Sequence, residues 1–410
     1  MVITGCMPFS KQSTITPTFT ADSALQVDNF SPSQTDCESS AQPTSQSTIT
    51  PTSTADPALQ VDNFSSLQTA CESIENMVIK LTKDITATED LKILSPNHQK
   101  REVTLDLNGY TLCFENKKIM YVDDVDVNGE DIKPQVTFTL TSGQNGGSVI
   151  FMYKPEEDVP GCIDNSGNFI LDNNVMITAR NSIAMSSPVQ AEQWSYQYSA
   201  LITTSGSESL VTINSGTINA PGNYRQAIYA DSDGQVVING GVIQAEGDDS
   251  IAIYNWGGKV HVNGGEIKTS GNGCVAISNE DTFNPLGNDV VRIPSLSVSP
   301  DIVPDRDTFV MSGGVVSATG KDSIAVTLEK NCTITDGTIS ATGENSVGIA
   351  YYYVGGGNKE EKLNVNLLGG QITGESHAMI DYRGNKAFYK NAKGKIVNVD
   401  STVKKINASQ

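Results

Sequence analysis

A phrase that returns about every 24 residues between Leu210 and Tyr382 constrains this chain more than any other feature. Val236-Val237-Ile238 is followed by Asn239-Gly240-Gly241 and then by Val242-Ile243-Gln244-Ala245. Ser250-Ile251-Ala252-Ile253-Tyr254 closes the unit, and Val260-His261-Val262-Asn263-Gly264-Gly265 opens the next. A fixed period of this size is the mark of a solenoid, in which each unit buries its apolar face only by stacking on its neighbours.

Aligned on the second turn glycine (Gly216, Gly241, Gly265, Gly314, Gly337, Gly370), the copies resolve into three short strands. The first is a triplet with apolar outer members, as in Val211-Thr212-Ile213 and Cys332-Thr333-Ile334, which is period-2 patterning with one buried face. The second strand carries Ile218, Ile243, Ile267, Val316, Ile339 and Ile372 in one column. The third reads Ile251-Ala252-Ile253, Val275-Ala276-Ile277 and equivalents. Glycine and β-branched content on this scale weakens any helix. The turn glycines suit corners with positive φ.

These residues resemble the right-handed parallel β-helix of the pectate-lyase-like group. The resemblance implies an all-β solenoid of three-strand coils, about 24 residues each, over roughly Asn76 to Tyr382. Ser65 to Asn76 reads as a short amphipathic helix with Leu67, Ala70, Cys71 and Ile74 on one face, capping the open end. Together with Leu105-Asp106-Leu107-Asn108-Gly109-Tyr110 it is similar to the start of many bacterial cell-surface β-helix proteins, which implies an extracellular or surface location and an adhesin-like role.

The chain divides accordingly. Residues 1–64 are a Ser/Thr/Pro-rich linker containing a tandem duplication at an offset of 34 residues, and such a composition does not bury a core. Residues 65–385 form the β-helix with its helical cap, and 386–410 a C-terminal cap or tail. Ile3-Thr4-Gly5-Cys6 resembles a lipoprotein cleavage box and makes Cys6 a candidate for lipidation and a lipid anchor. The charged and apolar segments that normally precede such a box are missing. No apolar run has the length of a membrane span.

The formal net charge of −20 argues against a nucleic-acid partner. Seven cysteines in no metal-binding spacing predict neither a metal site nor a full disulfide framework, and no cofactor is expected.

Three copies of the repeat are lengthened, by residues 186–209, 279–308 and 351–362, and all three are expected at the corner after the third strand. The scarce aromatic residues follow them: Trp194, Tyr196 and Tyr198 in the first, Tyr351, Tyr352 and Tyr353 in the third, and Trp256 in the short connection at the same corner. Tyr229 and Tyr254 stand in one outward column beside it. Packing of the long loops accounts for such rings, and so does a face that stacks on sugars. The expectation is a non-enzymatic surface protein that binds a carbohydrate or a host or cell-surface partner through this edge.

The alternative is a divergent polysaccharide lyase or glycoside hydrolase. Catalysis of that kind needs clustered carboxylates for Ca²⁺ with a basic residue, or a carboxylate pair. Arg292-Ile293-Pro294-Ser295-Leu296-Ser297 begins like the lyase phrase but ends in serine, and the three histidines lie in different coils. No catalytic residue is assigned from the sequence.

Overall fold

The computed structural model describes residues 58–95, 100–123, 136–152, 162–180, 200–206, 209–231, 234–280, 308–329, 331–351, 365–382 and 386–408. Residues 1–57, including Cys6, lie outside them. The described chain is a parallel β-helix. First strands pair only with first strands of adjacent coils, as Leu210–Ile213 does with Gln235–Ile238 and that in turn with Lys259–Val262. Second strands do the same, from Ile85–Ala87 onward. Third strands form a separate sheet of ten, from Leu91–Ser95 to His377–Asp381.

The register places the aligned columns on top of one another. Val211, Val236 and Val260 are partners, as are Ile218, Ile243 and Ile267, and all six side chains are fully buried. Each turn glycine of the aligned set has positive φ, between 78° and 107°. At Gly241 an added Cβ would meet the Gly216 carbonyl oxygen at 2.7 Å, so the position excludes other residues on two counts. Beside this column Asn239 donates to Asn214 and Asn263 to Asn239, each at 2.9 Å, an amide ladder along the outside of the first corner.

The second corner is built differently. Gly247, Gly271, Gly320 and Gly343 stack so closely that a Cβ on any of them would lie 1.8–2.2 Å from the backbone of the glycine before it. Ser250, Cys274, Ser323 and Ser346 are fully buried next to them. The Ser250 hydroxyl donates to carbonyls of Gly222 and Asp248, and Ser323 to those of Gly271 and Lys321. Cys274 takes the same place, with its thiol against the carbonyl oxygens of Gly247 and Asn272. Burial pushes that thiol up to about 12. The third corner has an internal ladder: Asn255 donates to Asn279 at 2.6 Å and Asn279 to Thr308 at 2.9 Å, all behind the third sheet's edge.

The solenoid begins earlier than the sequence pattern indicates. Leu59–Val61 pairs in parallel with Met77–Leu81, so it belongs to the first sheet and not to the linker. The helix spans Phe64–Cys71, with the Asn63 side chain accepting from the Ser66 amide at 2.9 Å. Leu67, Ala70 and Cys71 are buried over the first coil, but Ile74 lies beyond the helix and is 66% exposed. Arg101 closes the helix's other end. Its guanidinium is 2% exposed and donates to the carbonyls of Ala70, Cys71, Leu94 and Glu75 at 2.6–3.0 Å. Two of these, Ala70 and Cys71, belong to the last turn, where a helix leaves carbonyls without an intrahelical partner.

At the opposite end, Phe388–Asn391 joins the first sheet in parallel and turns back as the antiparallel Ile396–Asn398. Lys405–Asn407 ends the second sheet, antiparallel to Gln371–Gly374. Ala387, Val399 and Ile406 are buried beneath these strands. Cys71, Cys113, Cys162, Cys274 and Cys332 are all buried.

Candidate functional site

The long connections do not share one corner. Residues 281–307 and 352–364 join a third strand to the next first strand, as expected, and so do residues 124–135. Residues 153–161 and 181–199 join a second strand to a third strand instead. In the latter coil, Ala200–Thr204 is the third strand, because Ile202 is the partner of Ile163 and Ile228 in the inward column. Ser182-Ile183-Ala184-Met185, which matches the third-strand phrase, falls outside the described residues. The two kinds of connection therefore attach at the two edges of one sheet. Among the described residues the link from first to second strand is short in every coil. The outer face of the third sheet is thus the face bordered by all the variable segments, which in a solenoid is commonly the binding face.

That face is organised in rows. Nearest the second corner stand Ile251, Val275, Ile324 and Val347, paired coil to coil and buried apart from the main core. The next outward row holds Thr203, Tyr229, Tyr254, Ser278, Thr327 and Ala350. Tyr229 and Tyr254 are in register with ring centroids 5.5 Å apart, and are only 4% and 5% exposed. Ser278 and Thr327 are neighbours in that row, fully buried, with hydroxyls that have no hydrogen-bond partner among the described residues. Trp256, partly buried, packs against the same apolar cluster and pairs in register with Asp231 and Glu280.

One aromatic candidate is placed inside. Tyr351 ends the strand Val347–Tyr351, is 1% exposed within the main core, and donates its hydroxyl to the Phe388 carbonyl at 3.1 Å. It occupies the column that Asn255 and Asn279 occupy in earlier coils, so the ring fills the solenoid instead of facing a ligand. Trp194, Tyr196, Tyr198, Tyr352 and Tyr353 lie outside the described residues.

A cleft of about 380 Å³ runs along the second corner beside this face. Its floor is Val275, Ile324 and Val347, its wall carries Asp249, Asp322 and Asn345, and Tyr382 stands at its end, 51% exposed. The wall residues come from one column of positive φ: Asp249, Gly273, Asp322 and Asn345 at 54°, 65°, 54° and 60°. Three of them bear side chains and the fourth is bare. A Cβ on Gly273 would lie 2.5 Å from the Asp249 carboxylate, so its absence opens the wall between the two aspartates. Asn345 donates to Asp322 at 3.1 Å.

Burial raises the Asp249 carboxyl above the ordinary carboxylate value, a hydrogen bond from Tyr224 works against that, and Asp248 adds to it. The cleft is half open and mainly polar, with its apolar residues nearly covered, so it is a shallow polar surface and not an enclosed apolar pocket. The sequence offered two signals for this cleft, the repeated Asp/Asn two positions before the third strand and the glycine that interrupts it. Neither singles it out, because Asp and Asn serve turns so often.

Among the described residues no group of three or more His, Cys, Asp or Glu side chains is placed to hold a metal ion. None of their helices is long and apolar enough to cross a membrane. No curated protein and no solved structure gives a significant match to this chain. Over residues 58–158, from the first strand through the helix and the opening coils, it matches the family described as "Putative pectate lyase-like adhesive domain".

Proposed function

We propose that this protein is an adhesin-like β-helix, displayed at the surface or secreted, that binds a carbohydrate on the outer face of its third sheet. The cleft at the second corner carries the reading. The half-exposed Tyr382 offers a surface for the C–H face of a pyranose, while Asp249, Asp322 and Asn345 accept from its hydroxyls. Two carboxylates there favour neutral or amino sugars over acidic ones. The partly buried Trp256 lies on the same face toward the third corner, supported by the buried Tyr229 and Tyr254 beneath it. The adhesive-domain match in the first coils supports this class of role.

The test is full-length protein on an array of neutral, amino and acidic glycans, repeated with Tyr382→Ala and Asp322→Asn. The expected result is retention of neutral or amino glycans that each substitution weakens at least fivefold. Retention that neither change affects removes the cleft from the reading, and no retention of any glycan removes the carbohydrate.

A second reading has one observation of its own. Asp249 and Asp322 stand two coils apart, about 9.6 Å at the ordinary strand spacing. That is near the separation an inverting glycosidase uses. Burial shifts Asp249 upward, as a general acid must be. New reducing ends released from the retained glycans, and lost in Asp249→Asn, would favour hydrolysis over adhesion.

A further inference from the structure

The C-terminal cap carries a charge opposite to the rest of the protein. Residues 386–410 hold six lysines and one acid, Asp400, for a net charge of +5, which leaves −25 on the remaining 385 residues. All six lysines are exposed. They are spread over the cap's own strands and turns: Lys390 on Phe388–Asn391, Lys393 and Lys395 at its hairpin turn, and Lys404 and Lys405 at the strand that ends the second sheet. The turn is fixed by Asn391, whose side chain accepts from the amides of both Lys393 and Lys395. Two lysines have an acid: Lys404 pairs with Glu375 at 3.3 Å and Lys386 lies near Asp400. Lys390, Lys393, Lys395 and Lys405 form no ion pair among the described residues.

Four unpaired lysines on one end of a chain with so large an excess of acids are not explained by solubility, since each reduces the net charge. Lysines do blunt sheet edges, and Lys395 flanks the exposed edge strand Ile396–Asn398. Lys390 lies on the inner strand of the hairpin and Lys405 on a different sheet position, where that account has less to say.

We infer that this cap is a docking surface for a linear polyanion bearing phosphate charges. The chemistry favours phosphate over carboxylate. Lysine meets phosphate as a compact point charge, whereas planar carboxylates are matched by arginine's fork, and 386–410 contain no arginine. The acidic body repels the same polymer, so contact is confined to this end.

The experiment uses the full chain on immobilised long-chain polyphosphate, with polygalacturonate as the carboxylate arm. The variant combines Lys390→Gln, Lys393→Gln, Lys395→Gln and Lys405→Gln, and Lys268→Gln is the control. Four neutralised phosphates give a log–log salt slope near about −3, or roughly a fiftyfold loss of affinity between 50 and 200 mM salt. The quadruple variant is expected to lose at least tenfold at 50 mM salt, with the control unchanged and both monodisperse. Equal binding by wild type and variant, no binding by wild type, or equal retention on polygalacturonate overturns the inference. So does a variant that aggregates while binding unchanged, which would assign the lysines to edge protection.

Discussion

Gly320→Ala tests the physical basis of the stack most directly. The backbone at Gly320 does not have positive φ, so an alanine there is not strained by its own dihedrals. The obstacle is the neighbouring coil: the new Cβ would lie 1.8 Å from the Gly271 carbonyl oxygen and 2.4 Å from its carbon. Real Cβ contacts stay beyond 3.0 Å, and backbone cannot swing aside as a side chain can, so the two coils must part by more than an ångström at this corner. The rungs beside it are Thr319 N to Thr269 O at 3.0 Å, Gly273 N to Lys321 O at 2.8 Å and Ile324 N to Cys274 O at 2.8 Å.

An opening of that size breaks those three bonds, and at about 1 kcal/mol each the local cost is about 3 kcal/mol. Because stability in a solenoid is a sum over neighbouring units, the loss is local and a single melting temperature dilutes it. Hydrogen exchange read by mass spectrometry is the suitable assay. Amides of Ile324–Leu328 should exchange roughly a hundredfold faster, with the first coils unaffected. Gly143→Ala, where an added Cβ meets nothing within 4 Å, should leave every segment within about 0.5 kcal/mol of wild type. Unchanged protection at Ile324–Leu328 in Gly320→Ala would refute steric stacking of the glycines as what sets the corner.

Arg101→Met removes four donated hydrogen bonds from carbonyls around the helix end, and should weaken the cap by about 3–5 kcal/mol. Limited proteolysis would show it as new cleavage within residues 64–76, with coils beyond Val136 intact. Cys71, Cys113, Cys162, Cys274 and Cys332 should resist alkylation at pH 8 until the protein is unfolded, since burial pushes Cys71 and Cys274 up to about 12. Peptide mass mapping after native labelling checks this residue by residue. Asp249 has a folded value raised above its unfolded one, so its contribution is fully present below the unfolded value and lost as pH rises through the folded one. Asp249→Asn should therefore protect the second corner from exchange better than wild type at pH 7, and poorer protection would contradict the assigned cause.

The columns were legible because each inward position had one chemical requirement. Ile218, Ile243 and Ile267 need a full aliphatic side chain, and Gly216, Gly241 and Gly265 need positive φ, so the copies align on them. The third sheet was harder. Its outward Ile251 and Tyr254 are as buried as its inward Ile253, so hydropathy did not separate the faces. The same blindness assigned residues 186–209 to the corner after the third strand, although Ala200–Thr204 within them is itself the third strand of its coil. Tyr351 follows Leu328 in a column that also holds Ala230, Asn255 and Asn279, and a column so mixed leaves no periodic signal. Arg101 left no signal in the sequence, since its role depends on a helix end about thirty residues earlier. The cleft arises from a missing side chain at Gly273, visible only once the neighbouring aspartates are known to flank it.

The helix with Arg101 at one end and the lysine-rich hairpin at the other have a consequence for how such a protein changes over generations. Among the described residues both ends of the stack are covered by elements that pair with or pack on the end coils. A duplication of one whole coil between them creates no new edge and disturbs neither cover. The molecule can therefore lengthen or shorten in steps of about 4.8 Å without refolding anything. Its reach is a quantised trait, open to selection separately from whatever the third sheet has come to hold.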